Sequence, residues 1–306
     1  MNPDLASSYA YCQRLARRHY ENFPVASFLL PRAARPHIAA VYAFARVADD
    51  IADEGDRPAD ERLAELDKWS ARLLAAAFGR PPGPEAHAEV FVALANTIRA
   101  CRLPVPLLQD LLKAFRQDLT VTRYGTWADV LDYCRRSANP VGRLVLRIAG
   151  YDDSAMDVKS DAICSALQIT NFLQDLAVDW ARGRLYMPRD IWEPAGARES
   201  DLDTGRLTPE WRTALTEVAS RVRVLFEAGR GVCDEVDGRL RFELRATWLG
   251  GVRILDRIAT AGYDVFTARP ALGLSDAAGI AWQVVRWTSV ASAKQDRPRP
   301  PTHDRR

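Results

Sequence analysis

Lysine is nearly missing from this chain of 306 residues: only Lys68, Lys113, Lys159 and Lys294 stand among 42 basic residues, the rest being Arg. Forty acidic residues bring the formal net charge to +2, so there is no extended basic field and no nucleic-acid partner is expected. No apolar run reaches about 18 residues, which excludes a spanning helix and leaves peripheral contact as the only route to a membrane. No secretory pattern opens the chain. The five cysteines (Cys12, Cys101, Cys134, Cys164, Cys233) are odd in number and scattered without metal or redox spacing, as expected of buried thiols in a reducing cytoplasm. The four histidines are far apart, and none receives a role. P-loop, HExxH, GxSxG and strand-linked GxGxxG patterns are absent, which sets aside the chemistries they carry.

What is present is polar residue patterning on apolar helices. At about 100° per residue, Gln168, Asn171, Asp175 and Asp179 fall on one narrow stripe of a segment that otherwise carries Leu167, Ile169, Leu173, Leu176 and Val178. A solvated surface face is the competing reading of that stripe alone. A second stretch repeats it: Tyr42, Arg46, Asp49 and Asp53 share a stripe, with Asp50 about 100° away from Asp49. Each stripe holds two carboxylates at i, i+4, where like charges repel. A hard divalent cation removes that repulsion, and Mg²⁺ prefers oxygen ligands completed by substrate phosphate oxygens. Two such helices facing each other would clamp a diphosphate above an apolar interior.

Helical periodicity covers 5–20, the stretch from after Pro31 through Asp53, and 60–78, whose Leu63, Leu66, Trp69, Leu73 and Leu74 are expected inside. Further helices are expected at 86–101, 104–122, 127–150, 154–179, 209–236, 241–261 and 275–292. Residues 180–205 read as an irregular loop of the length that often carries function. No segment alternates convincingly as a strand. The expected organisation is one all-α domain over 1–292 and a Pro- and charge-rich disordered tail over 293–306. The eight tryptophans are expected in the core, although Trp282, Val285, Trp287 and Val290 beside Arg286 also make the last helix a candidate membrane contact.

Three motifs, Tyr42-x-x-x-Arg46-x-x-Asp49-Asp50-x-x-Asp53, Gln168-x-x-Asn171-x-x-x-Asp175-x-x-x-Asp179 and Gly183-Arg184-x-Tyr186-x-Pro188, resemble those of the squalene/phytoene synthase family. The resemblance spans about residues 8–270. It implies an isoprenoid synthase helical bundle around a central cavity. It implies that Asp49, Asp53, Asn171, Asp175 and Asp179 hold Mg²⁺, that the four aspartates are catalytic, and that Arg46 and Arg184 contact diphosphate. Tyr42 and Gln168 would line the substrate site, and Asp118 matches a further acidic position near the cavity.

The departures are informative. Where many members carry Ser-x-Ser-Phe, this chain has His19-Tyr20-Glu21-Asn22-Phe23, and Gln174 stands where an Arg is common. With Arg135-Arg136-Ser137-Ala138-Asn139-Pro140-Val141-Gly142, these features resemble the bacterial hydroxysqualene synthases of hopanoid biosynthesis. That subgroup's chemistry is ionisation of presqualene diphosphate, rearrangement of the carbocation and capture by water, without a hydride donor. Head-to-head condensation of two farnesyl diphosphates is the alternative within the family. A non-catalytic assembly factor is the alternative outside it, disfavoured by the retained aspartates. The implied partners are an isoprenoid diphosphate and, functionally, other squalene-pathway enzymes. Asn22 is a candidate for shaping a polar pocket around the capturing water, against its reading as a turn residue before Phe23-Pro24.

Overall fold

The helices begin and end where local chemistry dictates. Thr126 accepts from the Asp129 amide at 3.1 Å while Asp129 accepts from the Thr126 amide at 2.8 Å, so two otherwise orphaned donors start the following helix. Asp153 caps the longest helix by accepting from the Ala155 amide at 2.7 Å. The computed structural model describes residues 4–18, 29–55, 57–80, 83 and 85–289.

In chain order the helices are α1 (Leu5–Arg18), α2 (Ala34–Asp53), α3 (Ala59–Ala77), α4 (Ala88–Cys101), α5 (Val105–Asp118), α6 (Trp127–Ser137), α7 (Asn139–Ile148), α8 (Ser154–Ala181), α9 (Arg189–Trp192), α10 (Glu199–Leu202), α11 (Pro209–Gly229), α12 (Val232–Glu235), α13 (Gly238–Thr260) and α14 (Leu274–Val285). Among the described residues there is no strand, only an isolated parallel bridge between Arg123 and Leu185. The all-α expectation therefore holds.

Two helices organise the rest. Around α2 pack α1, α3, α4 and α5, and around α8 pack α6, α7, α11, α12 and α13. Helix α7 touches both, and one continuous core runs from Cys12 to Val265. Burial of Ile163, Ala166, Ile169, Leu173 and Leu176 fixes the inward face of α8. Its crossing with α11 is closed by Gly229, where an added Cβ would lie 2.5 Å from Ile163 Cγ1 and 2.6 Å from the Lys159 carbonyl oxygen.

Several expectations need correction. The stretch 127–150 is two helices, because Pro140 lacks an amide and starts α7 at its first turn. Asn139 is buried in that break; with its amide nitrogen turned inward it donates to Ser165 Oγ at 2.9 Å and to the Asp161 carbonyl at 3.1 Å. The stretch 209–236 divides into α11 and α12, and 180–205 contains α9 and α10. Leu74 and Val178 face solvent, and Leu63 is half-buried. Trp69, Trp192, Trp211 and Trp248 are core residues as expected, whereas Trp282 is exposed. The last helix stops at Val285, and Trp287 belongs to the body: it packs edge-on against Trp248 and donates to Asp234 at 2.9 Å. Asn22, Val290 and the tail lie outside the described residues.

Candidate active site between α2 and α8

Helix α2 buries Ile38, Val41, Phe44 and Ala48 against its neighbours, and this fixes the orientation of the adjoining stripe of Tyr42, Arg46, Asp49 and Asp53. Arg46 is the hub of that stripe. It donates to Asp49 at 3.2 Å, reaches Glu54 at 3.0 Å and contacts Asp50, which is how Asp50 is accommodated off the stripe. Among the described residues Arg46 Nε is buried without a hydrogen-bond partner. Burial pushes the Asp49 carboxyl up to about 7, reinforced by Asp53 and opposed by Arg46.

Helix α8 carries the second stripe, with Gln168, Asn171, Asp175 and Asp179 all half-buried. Asp179 is raised to about 7, by burial first and then by Asp175, with Arg184 and Arg182 opposing and Asp53 adding from α2. Asp53 acts electrostatically on both Asp49 and Asp179, so the C-terminal ends of the two stripes lie near each other. Among the described residues α2 and α8 have at most slight direct packing and are bridged by α7.

The Gly183-Arg184-x-Tyr186-x-Pro188 motif has a local physical reason. Gly183 sits at φ 77°, a left-handed conformation that glycine adopts without a Cβ penalty. The Gly183 amide bonds the Trp180 carbonyl at 2.9 Å and the Arg184 amide bonds the Asp179 carbonyl at 2.9 Å, a Schellman ending for α8. The chain thereby reverses, and Arg184 reaches Asp53 at 2.8 Å. Two residues on, Tyr186 donates to Asp118 at 3.2 Å, and Tyr133 donates to the same carboxyl at 2.9 Å. Burial raises Asp118 to about 6 against these hydroxyls and Arg184. The Tyr186 ring is stacked on Phe172 at 4.0 Å and on Tyr124 at 5.6 Å.

One site residue escaped the sequence reading. Arg269, 94 positions from Asp175, holds that carboxylate, and the neighbouring Pro270 carbonyl accepts from Gln174 Nε2. Arg269 lies in an aperiodic connection, so no local pattern marks it. Gln174 thus ties α8 to the connection that carries Arg269.

The donor set suits a hard divalent cation. Every candidate ligand offers oxygen, and Asp49 and Asp179 are raised by burial first and by a neighbouring carboxylate second. Among the described residues no three acidic, His or Cys side chains converge on one point, and arginines engage Asp49, Asp53 and Asp175. By donor chemistry the residues fit a hard divalent cation as separate carboxylate pairs.

An all-α bundle with two aspartate-bearing helices joined through Arg184 and Asp53 points to a class, and the chain belongs to it: the squalene/phytoene synthase family model matches residues 16–285. The chain is an enzyme of that family. Among its relatives, a hydroxysqualene synthase of Rhodopseudomonas palustris is 39% identical over 78% of this chain and 80% of its own length. A hydroxysqualene synthase of Sinorhizobium fredii is 38% identical over 75% of this chain and 76% of its own. The crystal structure of squalene synthase HpnC from Alicyclobacillus acidocaldarius superposes with a TM-score of 0.79 and 41% identity, covering 85% of this chain and 95% of that one.

Proposed function

We propose that this enzyme converts presqualene diphosphate to hydroxysqualene and diphosphate in an Mg²⁺-dependent step of squalene and hopanoid biosynthesis. The observation that carries the reading is the ion pair of Arg184, just beyond the α8 stripe, with Asp53 of the α2 stripe, in a chain whose relatives include hydroxysqualene synthases. Arg46 and Arg184 bind the diphosphate, Arg46 with its unpartnered Nε. Asp49, Asp53, Asn171, Asp175 and Asp179 would hold Mg²⁺, which supplies charge neutralisation on the leaving group. Tyr42 and Gln168 orient the substrate below the charged mouth.

The C–O bond breaks with its electron pair leaving on diphosphate. The cyclopropylcarbinyl cation rearranges in a cavity that excludes bulk water. One water adds its lone pair to the carbon and loses a proton, giving the alcohol. Asn22 shapes the polar pocket for that water, which needs two to four partners. The same reading places the enzyme in the cytoplasm at the inner face of the membrane, since substrate and product are lipids, with its product passed to other squalene-pathway enzymes. Among the described residues no helix is long and apolar enough to cross a membrane.

Incubation with presqualene diphosphate and Mg²⁺, followed by product identification, tests the proposal. Hydroxysqualene is expected. Unchanged presqualene diphosphate together with consumption of farnesyl diphosphate would assign condensation instead, and turnover of neither would favour a non-catalytic role.

A further inference from the structure

The backbone that presents Arg184 is held by a side chain from elsewhere in the sequence. A peptide unit is planar, so fixing its carbonyl and its amide fixes the whole plane. In the unit between Gly183 and Arg184 both ends are engaged. The Arg184 amide donates to the Asp179 carbonyl at 2.9 Å. The Gly183 carbonyl accepts from Arg123 Nη1 at 2.6 Å, across 60 positions of sequence. Gly183, at φ 77°, has no Cβ to restrict its own backbone, so the plane that follows it depends on such outside restraints.

Arg123 stands in the connection between α5 and α6, and that connection runs alongside the turn. The Leu185 amide donates to the Thr122 carbonyl at 2.9 Å, and the Arg189 and Asp190 amides donate to the Tyr124 and Gly125 carbonyls at 3.0 Å each. The Arg123 guanidinium is itself steered from several sides. Its Nε donates to Glu199 of α10 at 2.8 Å, and its Nη1 also donates to the Thr122 carbonyl at 2.9 Å. It lies over the Trp180 ring at 5.1 Å. Trp180 Nε1 in turn donates to Asp203, directly after α10, at 3.1 Å. The last turn of α8 and the α10 region thus aim one cation at one carbonyl oxygen. A rigid planar fork suits that task, whereas an ammonium on a flexible stem does not hold two acceptors in fixed directions.

The consequence is directional. The plane before Arg184 sets where its Cβ points, and the side chain then runs out to Asp53 at 2.8 Å. A small rotation of the plane grows along the long side chain before it reaches the guanidinium. The effect on the fold is slight by comparison. Arg123 and Glu199 are 38% and 37% exposed, and an ion pair so solvated contributes little to global stability.

We infer that Arg123 is a positioning residue: through the Gly183 carbonyl it sets the direction in which Arg184 points toward Asp53, without itself touching substrate. The positioning rests on the geometry of the turn. Only its use, presenting Arg184 to a diphosphate, rests on the function proposed above.

The test variant is Arg123→Gln, which is uncharged and too short to bridge the Gly183 carbonyl and Glu199 together. In the ligand-free chain, hydrogen exchange at the Arg184 amide should quicken about tenfold or more, with exchange at Ile169 and Leu176 as in the parent. With presqualene diphosphate and Mg²⁺, kcat for diphosphate release should fall about tenfold or more while the thermal midpoint stays close to the parent's. In an Arg184→Ala background the same change should cost no further kcat, because the group it positions is already gone. Unchanged exchange at Arg184 overturns the inference. Losses in kcat that multiply in the double variant also overturn it, by giving Arg123 a role apart from Arg184. Faster exchange throughout α8 with a lowered midpoint overturns it as well, by making Arg123 a residue of the fold. An unmodified chain that releases no diphosphate would refute the proposed function, and the exchange measurement would still decide the positioning.

Discussion

Arg184 and Asp53 lie 131 residues apart in sequence and 2.8 Å apart in space, joining the turn that ends α8 to the last residue of α2. The pair ties the ends of the two helices that carry the acidic stripes. Under the proposed function Arg184 is a diphosphate ligand, so binding of substrate and metal would exchange partners at this point.

Arg184→Ala should therefore impair ionisation far more than folding. The expected loss in kcat is about 10²-fold, the scale for removing one oxyanion donor. The pair is partly solvated, so the stability change should stay within about 1 kcal/mol. Steady-state diphosphate release and thermal denaturation of the same preparation separate the two effects, and a large stability loss with normal kcat would reverse the assignment.

Asp49→Asn and Asp175→Asn should abolish Mg²⁺-dependent turnover while leaving the metal-free protein as stable or more stable, because each change relieves like-charge repulsion at i, i+4. Turnover that persists in EDTA would refute the metal role of both stripes.

The metal-free protein should gain stability as pH falls. Asp49 and Asp179 are raised from 3.8 to about 7 and Asp118 to about 6, so the folded state binds more protons than the unfolded one between those values. The penalty of ionising them is complete above about 7, shrinks as pH falls through 7 and 6, and vanishes below 3.8. Denaturation midpoints in EDTA should rise from pH 8 toward pH 5.5, as far as these three groups determine them, with a shallower slope in Asp49→Asn. Equal slopes would show that Asp49 is not raised.

Tyr186→Phe keeps the ring stack but removes one of the two hydroxyls that donate to Asp118. A cost of about 1 kcal/mol is expected. Because that hydroxyl lowers the Asp118 pKa, the acidic limb of the pH–rate profile, where Asp118 controls it, should move upward. An unmoved profile with lost stability would leave Tyr186 as a packing residue.

Asn22→Ala should leave diphosphate release largely intact and lower the share of hydroxysqualene in favour of eliminated hydrocarbons. Both products measured in one reaction give the ratio. If it does not change, water placement belongs to another residue and Asn22 is a turn residue.

The helical order and both acidic stripes were legible because burial of one face imposes a period on the chain, and Ile38, Val41, Phe44 and Ala48 on α2 follow it. The α6–α7 break was not, since a proline inside the first turn of a new helix leaves the apolar pattern looking continuous across Asn139. Leu74 was assigned inward because i+3 and i+4 spacings both continue a stripe, and the structure selects Leu73. Gly183 was visible as part of a motif, but its left-handed backbone is a property of three dimensions. Arg269 was invisible because its partner is distant and its own segment has no period.

The crossing at Gly229 sets a tolerance for the whole site. A side chain there would meet the Lys159 carbonyl, which is backbone and cannot rotate away, so α8 would have to shift along or off its axis. A helix translates as a rod, and a few tenths of an ångström introduced at Lys159 arrive undiminished at Asp175 and Asp179. The alignment of the acidic stripes is thus gauged by a hydrogen atom on another helix, remote from every reacting group. In a mutational survey, position 229 would be scored with the catalytic residues although it touches none of them.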